Sequence, residues 1–314
     1  MNLHRGVLCA LPVVLLLGCE PSGERPSATR GSATIEVDAS IASVIRQEVD
    51  DFQRSYTEAK ITMRESEARE AVVNFLNDSV RIIVIGRELN KEERDFIGAR
   101  KGKSDEITLS EWKVALDAVL VIAHKDNPVD KLRIGELDSI YGGSITRWPG
   151  AKPPRSIVTV ASDVNSSLNE VFRHRVMEER PFGPTVHSLA SGAKVLEYVR
   201  DDANAIGIVG ITDLKGHDED VSVLSVADPS HVPDSTQVPG QYYSPVQANI
   251  YRRYYPITRP VYIYRREIRM DAGYGLISYI TSPPGQQIFL RSGLAPQQVP
   301  VRLVEITSQQ VPKQ

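Results

Sequence analysis

Apolar runs and helically spaced apolar residues alternate along most of the chain. Residues 34–37 alternate apolar and polar positions as a half-buried strand does, and apolar residues then recur at helical spacing from Ile41 to Phe52. Residues 61–63 and 68–76 repeat this order. Residues 80–85 form an almost continuous aliphatic run, which is typical of a parallel strand buried on both faces. The pattern predicts an α/β fold, in which either Asp38 or Ser40 caps the first helix.

The second half of the chain carries further strands. Residues 115–123 and 205–211 are apolar, and a complete α/β set lies between them, with a strand at 157–160 and a helix at 168–177. Because the chain exceeds what one core usually serves, two lobes are expected. The simplest arrangement makes the two apolar strands the crossings between lobes, with residues 247–265 returning to the first. The predicted boundaries are 33–117 and 208–314 for the first lobe and 118–207 for the second.

The N-terminus has the pattern of an exported lipoprotein. The apolar run at residues 7–17 is too short to span a bilayer, and it ends at Leu16-Leu17-Gly18-Cys19, which reads as a signal peptide over residues 1–18 followed by a lipid-bearing Cys19. An ordinary cleaved signal with an incidental cysteine is the alternative. Residues 19–32 are rich in Pro, Ser, Gly and charge, and they predict a flexible tether. Cys9 would leave with the signal peptide, so no disulfide framework is expected.

Charge and motif content argue against several functions. The net charge of −3 gives no reason to expect a nucleic-acid surface. Arg252-Arg253 and Arg265-Arg266, interleaved with tyrosines, fit a half-buried strand better. Residues 215–241 lack a steady period and predict a long surface excursion. The six histidines form no metalloprotease motif, and neither a nucleophile elbow nor a phosphate-loop lysine is present, so neither an enzyme nor a cofactor is expected.

Small polar residues stand where predicted strands give way to helices. Helix N-termini leave backbone N–H groups unpaired and carry partial positive charge, so several of them aimed into one cleft form an anion site. Each serine taken singly is better explained as the cap of its own helix, but all of them should fall beyond the carboxyl ends of the strands, where ligands of open α/β sheets bind. The residues concerned are Ser40, Ser66, Asn165, Ser166, Ser167 and Ser191.

Two charged residues complete the candidate site. Arg87 follows the buried strand at 80–85, and its guanidinium suits bidentate pairing with an oxyanion, although a salt bridge with Glu88 or Asp95 is an equal alternative. Asp163 is close to Ser166 and could accept the proton of hydrogen phosphate, or it could be a turn residue.

Segments spread over residues 33–307 resemble the phosphate-type substrate-binding proteins of ABC importers, the PstS family. The segments that carry the resemblance are Asp38-Ala39-Ser40, 75–93 (FLNDSVRIIVIGRELNKEE), 118–148 (AVLVIAHKDNPVDKLRIGELDSIYGGSITRW), 164–172 (VNSSLNEVF), 204–210 (NAIGIVG), 255–264 (YPITRPVYIY) and 285–293 (GQQIFLRSG).

The resemblance implies a two-lobed type II periplasmic-binding-protein fold. It also implies capture of phosphate or a related oxyanion by hinge closure, and delivery to an ABC permease by a membrane-anchored monomer. Strand-to-helix placement and the resemblance together give the expected ligand-binding residues, which are Ala39, Ser40, Ser66, Arg87, Asp163, Asn165, Ser166, Ser167 and Ser191.

The chain departs from the family pattern at positions that concern the ligand. Only Ser40, Arg87 and Ser166 match it without change. Loss of the family's aspartate at Arg81 weakens the case for phosphate over sulfate, because hydrogen phosphate needs a proton acceptor. A sensing or surface-interaction lipoprotein with a degenerate site is therefore the alternative function. The other departures are Gly86, Ser162, Ser167 and Leu168.

Overall fold

A computed structural model describes residues 26–103, 106–149, 153–217, 219–267 and 269–297. The predicted signal peptide and Cys19 lie outside these residues. None of the helices described is both long enough and apolar enough to cross a membrane.

Strands and helices alternate from Gly31 onwards, as the hydrophobic pattern predicted. The elements of the first part of the chain are β1 (Gly31–Asp38), α1 (Ala42–Ser55), β2 (Ala59–Ser66), α2 (Ala68–Leu76), β3 (Ile82–Ile85), α3 (Lys91–Gly98) and β4 (Leu109–His124). The next are β5 (Lys131–Arg133), α4 (Ile134–Tyr141), β6 (Val158–Ala161), α5 (Ser167–Val176), β7 (His187–Ser188), α6 (Gly192–Asp201), β8 (Ala205–Gly210), α7 (Ile211–Leu214), β9 (Val221–Val223), β10 (Ser225–Ala227) and α8 (Gln247–Tyr251). The last are β11 (Thr258–Arg266), α9 (Ala272–Thr281), α10 (Pro283–Arg291) and β12 (Ala295–Pro296).

The first lobe is a sheet covered by helices on both faces. Its strand order is β2-β1-β3-β11-β4, in which β1 runs parallel to β2 and β3, and β11 runs antiparallel to β3 and β4. Side chains of β3 alternate between the two faces: Ile82 and Val84 pack with residues of α1, α9 and α10, while Ile83 and Ile85 pack with residues of α2. The aliphatic run therefore behaves as a strand buried on both sides.

The second lobe shares β4 with the first. The 16-residue β4 pairs with β11 over Leu109–Ala118 and then continues along β8 over Val119–Ala123, and the sheet extends through β6 to β7. The core around these strands includes Tyr141 and Phe172, whose rings meet edge to face at 4.7 Å.

The chain crosses between the lobes along two adjacent segments, β4 and the residues that lead into β11. Ala118 pairs with Thr258, and the Val119 N–H donates to the carbonyl of Ile257 at 2.9 Å. The hydroxyl of Tyr255 donates to the carbonyl of Val119, also at 2.9 Å. We refer to Ala118–Val119 together with Ile257–Thr258 as the hinge.

Several predicted boundaries differ from those observed. The strand at 205–211 is not a crossing, because β8 pairs antiparallel with the second half of β4 and lies within the second lobe. Residues expected to belong to the first lobe, including Leu214, Leu224 and Ile250, are buried in the second-lobe core. The return to the first lobe therefore occurs at β11, not at residue 208.

The segments predicted to be irregular are shorter than expected. Residues 215–241 contain β9 and β10 and bury Val226, so this segment contributes to the second lobe. At the N-terminus, β1 begins at Gly31, so the last two residues assigned to the tether belong to the sheet. Ser27 and Arg30 pair with each other in a turn just before it.

Candidate functional site

The cleft between the lobes is formed where two parallel strands of the first lobe end opposite a helix of the second. β1 ends at Asp38 and continues as a short 3-10 turn, Ala39–Ile41, while β3 ends just before Gly86. The first residue of α5, Ser167, faces both from the other lobe. Ligands of open α/β sheets bind beyond the carboxyl ends of the strands, which is the position of this cleft.

Four hydrogen-bond donors converge on the carboxylate of Asp38. The backbone N–H and the hydroxyl of Ser40 donate to Oδ1 at 3.0 and 2.7 Å. The backbone N–H of Gly86 donates to Oδ2 at 3.0 Å, and the hydroxyl of Ser167 donates to the same oxygen. We call these donors of Ser40, Gly86 and Ser167 the cradle. Asp38 within it is completely buried.

Arg259 lies behind the cradle and connects it to the hinge. Its Nη1 donates to the hydroxyls of Ser40 at 2.9 Å and Ser167 at 2.6 Å. Its Nε donates to Asp117 Oδ2 at 2.8 Å, and these two residues also pair across β11 and β4. Both side chains are fully buried, so the guanidinium charge is compensated by Asp117 while its remaining donors polarise the two hydroxyls.

Position 86 needs glycine because neighbouring side chains pass close to its Cα atom, and not because its backbone adopts a conformation that only glycine tolerates. A Cβ atom at this position would lie 2.7 Å from Nη1 of Arg259 and 2.9 Å from Oγ of Ser167. Glycine therefore allows the β3 terminus to present its N–H to the carboxylate while the arginine and the serine pass directly beside it.

Arg87 joins the lobes at the edge of the cleft. Its two Nη atoms bind the carboxylate of Glu93 at 2.8 Å each, and its Nε lies 2.8 Å from Glu170 Oε2 on α5 of the second lobe. The predicted partners Glu88 and Asp95 are not its ion pairs, although the guanidinium also donates to the backbone carbonyl of Glu88. Arg87 is therefore held by two carboxylates in this arrangement.

The other predicted site residues stabilise local structure. Ser66 donates to Glu36 at 2.7 Å and not to Asp38, its register partner across β1 and β2. The hydroxyls of Ser166 and Ser191 accept N–H groups of their own helices and act as N-caps. Asp163 accepts the backbone N–H of Asn165 at 2.8 Å, as turn residues do.

Among the nine residues predicted to bind the ligand, Ser40 and Ser167 are the two that the structure brings together in the cradle, with their hydroxyl oxygens 3.2 Å apart. Ala39 is exposed on the turn between β1 and α1.

Acidic side chains lie around the cradle, and the charge of each affects the pKa of its neighbours. Burial raises the pKa of Asp213 to about 6; the Gly210 N–H and Arg259 oppose this rise, while Asp117 and Asp38 add to it. Burial also raises the pKa of Glu67 to about 7, with a further contribution from the charges of Asp38 and Asp163. Several acidic groups therefore lie close enough to Asp38 for their charges to interact with it.

Sequence reasoning missed the residues that determine the cradle's charge. Asp38 was considered only as a helix cap, and it does accept the Ser40 N–H in that role. Asp117 is the single charged residue of segment 115–123 and Arg259 that of segment 255–264, which is the signal that could have marked them as a buried pair. Among the residues described, no cluster of three or more His, Cys, Asp or Glu side chains is placed to hold a metal ion.

Comparison with known proteins assigns the chain to a family of binding proteins. The family model described as a PBP superfamily domain matches residues 22–284. A phosphate-binding protein PstS from Staphylococcus saprophyticus is 22% identical over 277 residues, which cover 86% of this chain and 82% of the relative. The name of this relative describes a binding protein and not an enzyme.

Two solved structures of similar proteins show the fold. A putative phosphate ABC transporter substrate-binding protein from Clostridium perfringens, crystallised with bound phosphate, has a TM-score of 0.69 at 22% identity and covers 85% of this chain and 100% of its own. An ABC-type phosphate transport receptor from Vibrio cholerae has a TM-score of 0.64 at 18% identity, covering 84% and 99%. The two-lobed α/β architecture is therefore that of type II periplasmic binding proteins, as predicted.

Proposed function

Because the chain belongs to the PBP superfamily, we propose that it captures phosphate or a related oxyanion between its two lobes and delivers it to an ABC permease. The observation that supports this proposal is the cradle, whose donors come from both lobes and meet on one negatively charged group. Hydrogen bonds to a charged acceptor are stronger than neutral ones, so a cradle of this kind favours an oxyanion over a neutral solute.

Capture requires movement of the lobes about the hinge. Ser40 and Gly86 belong to the first lobe, whereas Ser167 belongs to the second, so rotation about the hinge separates the donors and admits a ligand. Closure brings the three residues together again around the anion. No covalent chemistry is involved, and the output is a closed shape that a permease recognises.

Within this proposal the predicted ligand residues have different tasks. Ser40 and Ser167 donate to the anion directly, together with the backbone N–H of Gly86. Arg87 joins the closed lobes through Glu170, and the serines at the helix ends keep their loops in place. Lipidation of Cys19 would hold the protein on the outer side of a membrane, close to the permease.

Calorimetric titration of phosphate into the purified chain, unfolded and refolded to remove captured anions, tests the proposal. Ser167→Ala should weaken phosphate binding about tenfold or more, because it removes a hydrogen bond to a charged group, which contributes about 1.5–3 kcal/mol. Ser191→Ala is the matched control, since this serine caps a helix outside the cradle. Absence of phosphate or sulfate binding by the folded wild-type chain would contradict the proposal.

A second function is favoured by one observation. The cradle already holds a carboxylate of the protein, which suits a sensor that responds only to high anion concentrations. Dissociation constants in the millimolar range for both phosphate and sulfate would support sensing, whereas values near micromolar or below would support transport.

A further inference from the structure

We infer that the Asp38 carboxylate is a built-in occupant of the cleft, which takes the place of an external oxyanion and holds the two lobes closed without one. This inference rests on the proposed function, because it assumes that the cradle is the binding site for the external anion.

The Asp38 carboxylate engages all the hydrogen-bond donors of the cradle. Each oxygen of Asp38 accepts two hydrogen bonds, Oδ1 from the N–H and hydroxyl of Ser40 and Oδ2 from Gly86 and Ser167. A hydroxyl has one proton to donate, so neither serine retains a proton for another acceptor. An external anion must therefore displace the carboxylate to use these donors.

The Asp38 carboxylate also connects the two lobes. Asp38 and Ser167 are 129 positions apart and belong to different lobes, so their hydrogen bond is a closing contact made by the protein itself. Thr212 of the second lobe supports it by donating to the backbone carbonyl of Ser40 at 3.0 Å. These contacts resemble the way in which a ligand would join both lobes.

Electrostatic repulsion opposes the binding of an external anion beside Asp38. An external anion placed beside Asp38 would meet a like charge within a few ångströms in a buried site, where screening by solvent is weak. Arg259 is already neutralised by Asp117, and Arg87 by Glu93 and Glu170. The cradle therefore does not accommodate both negative charges, and Asp38 competes with the ligand.

Two variants of Asp38 test the inference. Asp38→Gly removes the occupant, while Asp38→Asn removes its charge but keeps a side-chain oxygen that can still cap the turn at Ser40, which protects against simple misfolding. Glu70→Gln is the matched control, because Glu70 is an exposed acid in the first turn of α2, outside the cradle.

Small-angle X-ray scattering of the anion-free proteins is the decisive measurement. The wild-type chain and Glu70→Gln should give the compact, closed profile, whereas Asp38→Gly should give an expanded profile that contracts when phosphate is added. Calorimetry should show that both Asp38 variants bind phosphate at least tenfold more tightly than wild type.

The outcomes separate the inference from the proposed function. If the variants bind phosphate but scattering and affinity equal those of wild type, Asp38 is not an internal occupant and the inference is overturned while the function stands. If no variant binds an anion but Asp38→Gly opens and wild type stays closed, the occupant is confirmed and the proposed function fails.

Discussion

The buried ion pair of Arg259 and Asp117 stabilises the fold directly behind the cradle. Both side chains are inaccessible to solvent, so each charge depends on the other for compensation. Removing one partner of such a pair costs far more than removing both, because it leaves an isolated charge in the interior.

We expect Arg259→Met to lower the free energy of unfolding by about 3–5 kcal/mol, since it leaves Asp117 buried and unpaired. The double variant Arg259→Met, Asp117→Leu should recover most of this loss. Urea denaturation of the three proteins measures the effect. A loss of less than about 1 kcal/mol in the single variant would show that the pair is not the buried, mutually dependent unit described here.

Glu48 is a further buried acidic residue. It lies on the core-facing side of α1, is fully buried, and neither of its carboxyl oxygens has a hydrogen-bond partner among the residues that the structure describes. Burial, followed by the charge of Asp51, raises its pKa from the ordinary 4.5 to about 9. The folded protein therefore retains the proton of Glu48 over a pH range in which the unfolded chain loses it.

This proton makes stability depend on pH. As pH rises from about 4.5 towards about 9, the unfolded state ionises first, so the Glu48 contribution to the free energy of unfolding should fall continuously. Glu48→Gln should thus stabilise the protein by roughly 3 kcal/mol at pH 7 and have little effect near pH 4. Denaturation at both pH values measures this, with exposed Asp50→Asn as the control. Equal effects of Glu48→Gln at the two pH values would contradict the assignment.

At the scale of elements, hydrophobic periodicity predicted where strands and helices lie, but not which strands pair with each other. The β–α order of the first lobe follows from residues 34–85, because the local pattern reports which face of each element is buried. The prediction of β8 as a crossing was wrong, since an apolar, glycine-containing strand looks the same in either lobe. Its location is decided by pairing with the second half of β4.

The cradle was predictable only in part. Ser40 and Ser167 were proposed as site residues because polar residues at strand-to-helix transitions are visible locally. The convergence of Ser40, Ser167 and Arg259 was not, because hydrogen bonds join positions 92 to 219 residues apart along the chain. No local pattern encodes such a contact.

Helix α9 provides an element-scale prediction, because the turn that precedes β1 packs against it at Gly275. A Cβ at this position would lie 1.6 Å from the backbone oxygen of Ala28, so Gly275→Ala should displace the turn and cost about 1–3 kcal/mol. Gly135→Ala in α4 is the control, because no atom lies within 4 Å of its added Cβ and alanine is the better helix former.

Urea denaturation and limited proteolysis near residue 28 measure the two glycine effects. Gly275→Ala should be less stable and cleaved faster, while Gly135→Ala should be unchanged or slightly more stable. Equal behaviour of the two variants would show that the turn is not packed on α9.

At the scale of the whole molecule, closure combines the Asp38 contact with the ion pair of Arg87 and Glu170. Glu170→Gln should weaken closure by about 1 kcal/mol, because Arg87 keeps its two bonds to Glu93. Its anion-free scattering profile should lie between those of wild type and Asp38→Gly. Glu197→Gln, which removes an exposed ion pair within α6, is the control. A Glu170→Gln profile identical to wild type would show that this ion pair does not help to hold the lobes closed.

Anomalous diffraction from crystals of Asp38→Gly and wild type grown with arsenate, a heavier analogue of phosphate, tests whether the cradle is an oxyanion site. We expect an arsenic peak between the lobes, placed so that the arsenate oxygens lie within hydrogen-bonding distance of the hydroxyls of Ser40 and Ser167, and stronger in Asp38→Gly than in wild type. Absence of arsenic from the cleft in both crystals, or its binding at another place only, would show that the cradle is not an oxyanion site.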